Sequence, residues 1–449
     1  MVMLWLLLTG AARPRPAVPP PAPLPSPVVE ERALSSGAPV WVLPQDAVPL
    51  VRIEVSWGQG YLAQEDRTAA MVAGTLAGRS PDIDWDALAE MGGVAQIGVG
   101  AQRAWADIEV LSGHEDAAVA WLAEAIRAPQ FSRADVRALR RRWAKARRGA
   151  WRSIGRVHNL ILSTELYPAG HPLDFRPSAE DWRAVRPGRV ARAWDALLEG
   201  GAVSVVVSGD TTAAAILPPL DAALSGYAGA GRPEPVPMAD WHSEGRVVIV
   251  DHPGARRAWI THTRPAPGLD DGSAPLSELA NHVLGGSFTS RLSARLREEE
   301  GLVYSIDSVL LTWPGSGRIE VTCSVGLGDV AAALRGIEAE VAGMAQRPPT
   351  PEEIAASAAT LRMEAARSRL RLSELSRPYG LAQVFGQPAS APQGQLEAIG
   401  AASAAAVAGQ AEALFGGGGG LWVVTGDAVA LTDALTEAGF EIDAVRDPG

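Results

Sequence analysis

Cysteine is nearly absent from this chain: Cys323 is the only one in 449 residues. No disulfide can close within the chain, and no cysteine-rich metal site can form. Its place in the strand-like run RIEVTCSV suits a small buried hydrophobe. Paired histidines are missing too. The seven, at 114, 158, 171, 242, 252, 262 and 282, contain no i,i+3 or i,i+4 pair, so no helical two-histidine metal motif exists. His252 and His262 flank an expected strand and read as structural or solvated. There is no GxSxG elbow, no phosphate loop and no GxGxxG ahead of a helix. The run Gly416 to Gly420 precedes a strand and reads as a flexible connection. Positive charge is in deficit, and a net charge of -11 argues against nucleic acid as the main partner. One local exception, Arg137 to Arg156, is basic on a helical pattern and reads as a solvated face.

With 47% hydrophobic and 20% charged residues the chain is globular, and its length exceeds a single ordinary core. Residues 1–12 (MVMLWLLLTGAA) form a short apolar run ending in small residues. They read as a signal-like segment, too short to span a membrane and without basic residues in front. Residues 13–28 hold eight prolines and read as an extended linker. Together they point to an exported, periplasmic protein with no transmembrane span beyond that segment.

Beyond the prolines the chain is internally repeated. VSVVVSGDTTAAAILPPL (203–220) and LWVVTGDAVALTDAL (421–435) each place a β-rich run before a Gly-Asp turn and a helix. Pro49 to Trp57 and Arg257 to Thr263 are strand-like openings of the two halves. Arg133 to Trp151 and Pro351 to Leu375 are long helical stretches in mid-half. The expectation is an α+β protein built by tandem duplication of a two-layer unit. Its N-terminal domain spans 29–227, a Gly/Pro-rich linker 228–244, and its C-terminal domain 245–449.

The densest signal is residues 284–306, LGGSFTSRLSARLREEEGLVYSI. Ser290 can cap a helix carrying Leu292, Leu296 and Arg297, Gly301 suits a left-handed cap, and Val303 to Ser308 alternate as a strand would. An arginine ending the helix and a tyrosine starting the strand would then face one point. Taken singly, each has a structural reading: an arginine on a helix terminus and a half-buried strand tyrosine.

Gly285-Gly286, Phe288, Ser290-Arg291-Leu292, Arg297, Gly301-Leu302 and Tyr304 together resemble the substrate-clamping segment of the pitrilysin/insulinase family of zinc metallopeptidases. LAEMGG (88–93), YPAGHP (167–172) and Asp251-Pro253-Gly254 extend the resemblance over nearly the whole chain after the proline stretch. It implies two α+β halves closing as a clam around a peptide chamber. Peptide-cutting members carry HxxEH on the first helix of the first half. Here that helix is EDRTAAMVAGTLAGRS (65–80), and the ligand and base slots fall on Ala69, Val72 and Ala73. The helix after Phe131, where a third ligand is due, offers no acid between Asp135 and Glu165. The chain keeps Arg297 and Tyr304 and lacks the zinc half. The resemblance therefore implies the non-zinc subunit of a heterodimeric peptidase, inactive alone. It would bind no cofactor itself and would pair with an HxxEH-bearing homologous subunit that holds zinc. Arg297 and Tyr304 would hydrogen-bond the peptide substrate and its developing oxyanion. The alternative is an inactive scaffold or peptide-binding module.

Overall fold

The computed structural model describes residues 24–447 except 81–82, 128, 228 and 240–244. The signal-like segment, most of the proline stretch, His242 and the end of the linker lie outside the described residues.

Two six-stranded sheets organise the chain. The first contains β1 (Glu30–Ala33), β2 (Pro39–Pro44), β3 (Leu50–Trp57), β4 (Val94–Val99), β5 (Ala104–Leu111) and β6 (Val203–Gly209). The second contains β7 (Arg246–Asp251), β8 (Arg257–Ala266), β9 (Ile306–Trp313), β10 (Ser316–Gly326), β11 (Leu421–Gly426) and β12 (Ala444–Arg446). Their orders are β1-β2-β6-β3-β5-β4 and β12-β7-β11-β8-β10-β9: five strands correspond in chain order and place, β2 to β6 with β7 to β11, while the outermost comes from the start of the first half and the end of the second. Only the outermost strand differs in direction: β1 runs antiparallel to β2, whereas β12 runs parallel to β7. The α+β duplication is thus real, and Gly209 and Gly426 end corresponding strands. β6 and β11 are buried along their whole length, which explains their continuous apolar sequence. In β10 strict alternation puts Ile319, Val321, Cys323 and Val325 into the core.

Six helices matter for the argument: α1 (Arg67–Ala77), α2 (Arg133–Ala150), α3 (Ile154–Leu166), α4 (Ala274–Gly285), α5 (Pro351–Ser368) and α6 (Leu372–Val384). The long stretch read from Pro351 to Leu375 is two helices, because α5 ends at Ser368 and α6 begins at Leu372. The break has a use. α6 belongs in sequence to the second half but packs Leu372, Leu375, Tyr379 and Ala382 onto Trp41, Leu43 and Val206 of the first sheet. Reciprocally, α3 of the first half packs Val157, Leu162 and Leu166 onto Val248, Val250 and Val423 of the second. Each half therefore covers the outer face of the other's sheet.

Polar groups lie under both exchanged helices at corresponding positions. Glu54, opposite Val206, and Thr261, opposite Val423, each sit three residues from the glycine that ends the neighbouring strand. Beneath α6, Glu54 pairs with Arg103 at 2.5 Å and Asp107 with Arg52 at 3.0 Å. Burial pushes the Asp107 carboxyl up to about 6 against the pull of Arg52. Gly380 of α6 passes close over this pair: a Cβ there would come within 2.8 Å of the Glu54 carboxylate, which would have to shift. Beneath α3 the solution is neutral: His158 lies 2.7 Å from Thr261 Oγ1 and 2.8 Å from Thr425 Oγ1. The linker also ties the halves. Gly229 and Gly231 bridge to Ala202 and Gly201 at the end of the first sheet, and Val236 N–H donates to Pro314 C=O in the β9–β10 turn.

The glycine run is held more firmly than its sequence suggests. Arg264, buried in β8, donates to the carbonyls of Leu414, Gly417 and Gly419. That caps the helix Ala404–Phe415 and fixes the loop that comes after it.

Candidate functional site

The segment 285–306 is built by close approach. A Cβ on Gly285 would lie 2.5 Å from Ser308 Cβ, so only glycine lets the end of α4 touch β9. Asn281 Nδ2 seals the contact by donating to Ser308 C=O at 3.1 Å. After the double glycine the chain re-enters a helix whose first turn Ser290 caps, its Oγ accepting from Ser293 N–H at 3.4 Å. From Ser293 to Glu299 the helix is π-wound, with Glu300 N–H bonding Arg295 C=O at 2.9 Å. Such wide turns recur at functional sites. Leu292 and Leu296 are fully buried and fix which side faces out. Gly301 takes the left-handed conformation at φ 64°.

Tyr304 is not in the strand. β9 begins at Ile306, and the turn after Gly301 consumes the intervening residues, with Leu302 N–H returning to Leu296 C=O. The alternation expected from Val303 to Ser308 holds only from Ile306, because the first three residues continue from the helix cap without a ladder partner, which leaves Val303 and Ile306 buried and Tyr304 and Ser305 exposed. Tyr304 accordingly stands 87% exposed.

The three arginines of the segment divide clearly. Arg291 grips Glu353 through two bonds of 2.7 Å and also donates to the carbonyls of Arg347 and Pro348, which holds the Glu353 carboxyl below its usual range. Arg295 bonds Glu300 at 2.9 Å and Glu340 at 3.1 Å. Both are structural. Arg297 lacks such anchorage. Its carboxylate neighbour is Glu298 at 3.5 Å, itself 59% exposed, and its guanidinium lies 3.8 Å above the ring of Phe288. A pair whose carboxylate is exposed contributes little. Phe288, 64% exposed, is the platform beneath Arg297, a role the sequence pattern did not disclose. Spacing alone offers no means of telling Arg297 from Arg291 and Arg295, because their partners come from distant elements.

The zinc slots do not fit a metal. Ala69, Val72 and Ala73 lie on α1, and their side chains are packed in the first core. None carries a donor atom, and among the described residues no group of three histidine, cysteine, aspartate or glutamate side chains is placed to hold a metal ion. α2 presents arginines where the resemblance puts the third ligand. Three of the described histidines, His158, His171 and His262, have partners elsewhere. Besides His158, His262 is buried against Trp422 with ring centroids 4.2 Å apart, and burial lowers it to about 3. His171 Nε2 lies 3.0 Å from Pro237 C=O and stacks on Tyr167. Cys323 is buried, and desolvation pushes its thiol up to about 12.

Two like halves with exchanged helices, and a would-be metal helix that is wholly apolar at its ligand slots, define a non-metal relative of a metallopeptidase fold. Residues 188–361 match the family model described as peptidase M16 inactive domain. No curated protein matches the chain in sequence. Among solved structures, the chain is similar to a peptidase M16 inactive domain from Pseudomonas fluorescens, with a TM-score of 0.78 at 16% identity, covering 89% of this chain and 98% of that one. It is also similar to a protease from Helicobacter pylori, with a TM-score of 0.77 at 14% identity and coverage of 89% and 100%. The periplasmic protease PqqL from Escherichia coli matches with a TM-score of 0.74 at 11% identity, over 90% of this chain and 46% of that one. The resemblance is supported by the family model over residues 188–361 and by the fold over most of the chain: the chain is M16-like and lacks the HxxEH zinc motif.

Proposed function

We propose that this chain is the non-zinc subunit of a two-chain peptidase, exported to the periplasm, and that it supplies Arg297 and Tyr304 to a peptide held against an HxxEH-bearing homologous partner. The observation that carries the reading is the division among the arginines. Arg291 and Arg295 are bound to carboxylates from elsewhere in the fold, whereas Arg297 is left on an aromatic platform near the surface and Tyr304 is almost wholly exposed. Neither side chain is needed to hold the fold. Both are donors, so the pair suits a peptide carbonyl and the negative charge that develops on it. The chain itself holds no zinc in this reading; the metal belongs to the partner. Export is supported by the apolar start with its proline stretch, and by the periplasmic setting of one similar structure.

The second reading is a scaffold or peptide-binding module. The stacking of Arg297 on Phe288 and its approach to Glu298 favour it, because together they give the arginine a local function. Co-purification with a neighbouring HxxEH-bearing protein, then zinc analysis and peptide turnover, separates the two. In the reconstituted pair, Arg297→Ala and Tyr304→Phe should each lower kcat by about a hundredfold with assembly intact. Turnover at the unmodified rate in both variants would leave the scaffold reading standing.

A further inference from the structure

The basic helix α2 has no part in that reading. Residues 133–156 contain ten of the forty basic residues of the chain and one of its fifty-one acidic ones, so the remainder, with thirty against fifty, carries a net charge of -20. α2 is anchored by a single stripe: Val136 is buried, Leu139 and Trp143 pack against the first core, and Trp143 stacks on Trp182 at 4.8 Å. The rest of the helix surface is cationic. Arg133, Arg137, Arg141, Arg142, Lys145 and Arg148 are exposed, and none has an ion pair with a described residue.

A helix face that is merely solvated gains from mixed signs four residues apart. Here Arg137, Arg141 and Lys145 succeed one another at that spacing and repel, and Asp135 is the only acid in the helix. We propose that the outer face of α2 is a docking surface for an acidic polypeptide. A row of positive charges at one helical spacing is complementary to a run of carboxylates. A long nucleic acid would run into the acidic remainder. A membrane is the poorer fit because the three large apolar residues of α2 face inward, leaving none to insert. The proposal does not depend on the roles given to Arg297 and Tyr304.

The test uses the full chain and a fluorescent polyglutamate peptide, with binding monitored by anisotropy across a salt series. The unmodified protein should bind, and binding should weaken steeply as salt rises. The variant Arg137→Gln/Arg141→Gln/Lys145→Gln, which alters only exposed side chains and keeps good helix formers, should bind about tenfold more weakly, each lost pair contributing a few-fold. Arg137→Lys/Arg141→Lys should keep most of the affinity. The proposal is overturned if the triple variant binds within twofold of the unmodified chain, if the lysine variant loses as much as the glutamine one, or if the unmodified chain sediments with phosphatidylglycerol vesicles while ignoring polyglutamate.

Discussion

His158 offers the sharpest test of the exchanged-helix architecture. It is fully buried on α3, and its two ring nitrogens bond Thr425 and Thr261 of the other half. Replacing it with alanine opens a cavity of most of an imidazole ring and strips Thr425 Oγ1 of its partner, while Thr261 Oγ1 keeps only a contact of 3.4 Å with Thr322. Cavity formation and an orphaned hydroxyl together should cost about 3–5 kcal/mol at pH 7.5. The pH dependence is the more discriminating part. Burial lowers the His158 imidazole from 6.5 to about 3. Between those values the unfolded chain takes up a proton that the folded one refuses, so stability is lost as pH falls below 6.5, by about 1.4 kcal/mol for each unit. At pH 4.5 this residue alone has cost the unmodified protein about 2–3 kcal/mol, a loss the alanine variant cannot suffer. The gap between the two should therefore close to about 1–2 kcal/mol. Urea unfolding of both proteins at pH 7.5, 5.5 and 4.5 measures it. Comparing the pair removes the contribution of His262, which is common to both. A gap that stays constant across the series would mean that His158 is not held neutral between the halves, and the packing argument would fail with it.

Three further outcomes rest on particular contacts. Arg291→Ala should destabilise the protein by about 2–4 kcal/mol, because it leaves two carbonyls without their donor and Glu353 with only the Thr350 N–H, whereas Arg297→Ala should stay within about 0.5–1 kcal/mol; equal losses in the two denaturation curves would undo the division between them. Gly285→Ala should cost about 1–3 kcal/mol by pushing α4 off Ser308, and a melting temperature unchanged from the parent would contradict the 2.5 Å approach. Cys323 should react with a thiol reagent only after denaturation, given its burial and its raised thiol; rapid labelling of the folded chain would place it elsewhere.

Much of the fold was legible because it is written in short-range chemistry. The continuous apolar runs of β6 and β11, the glycines that end them, the alternation around Cys323, the Ser290 cap and the left-handed Gly301 are all decided within a few residues. What the sequence concealed is tertiary. The destination of α3 and α6 depends on which sheet face lies open, and nothing local distinguishes His158 or Tyr379 from an ordinary half-buried residue. Arg264 reads as a strand arginine until the carbonyls beyond Phe415 are brought to it. The strand expected at Val303 fails for a related reason: ladder partners for β9 begin only with Ile306 opposite Cys323, and without them the alternation breaks at Tyr304 and Ser305, both exposed. At the site, the family resemblance picked out Arg297 and Tyr304, and the partners of Arg291 and Arg295, which come from distant elements, are what distinguish those two arginines from Arg297.

The exchange of helices also bears on how a metal helix could become purely structural. α1 is buried against its own sheet and contributes Ala69, Val72 and Ala73 to the first core. Small apolar side chains at those slots let the helix approach β4 closely, as the glycine between them and the helix end shows: a Cβ on Gly74 would lie 2.5 Å from Val99 N. Histidine and glutamate in their place would each need a hydrogen-bond partner or a metal to offset desolvation. The first half thus relies on close apolar packing where a metal-binding relative must maintain a polar site. The second half, whose corresponding helix α4 is likewise packed on its sheet through Gly285, is where the chain still exposes polar chemistry, on the loop and π-turn that α4 leads into. That asymmetry between two otherwise matching halves is what a subunit specialised to supply donors, and not a metal, would require.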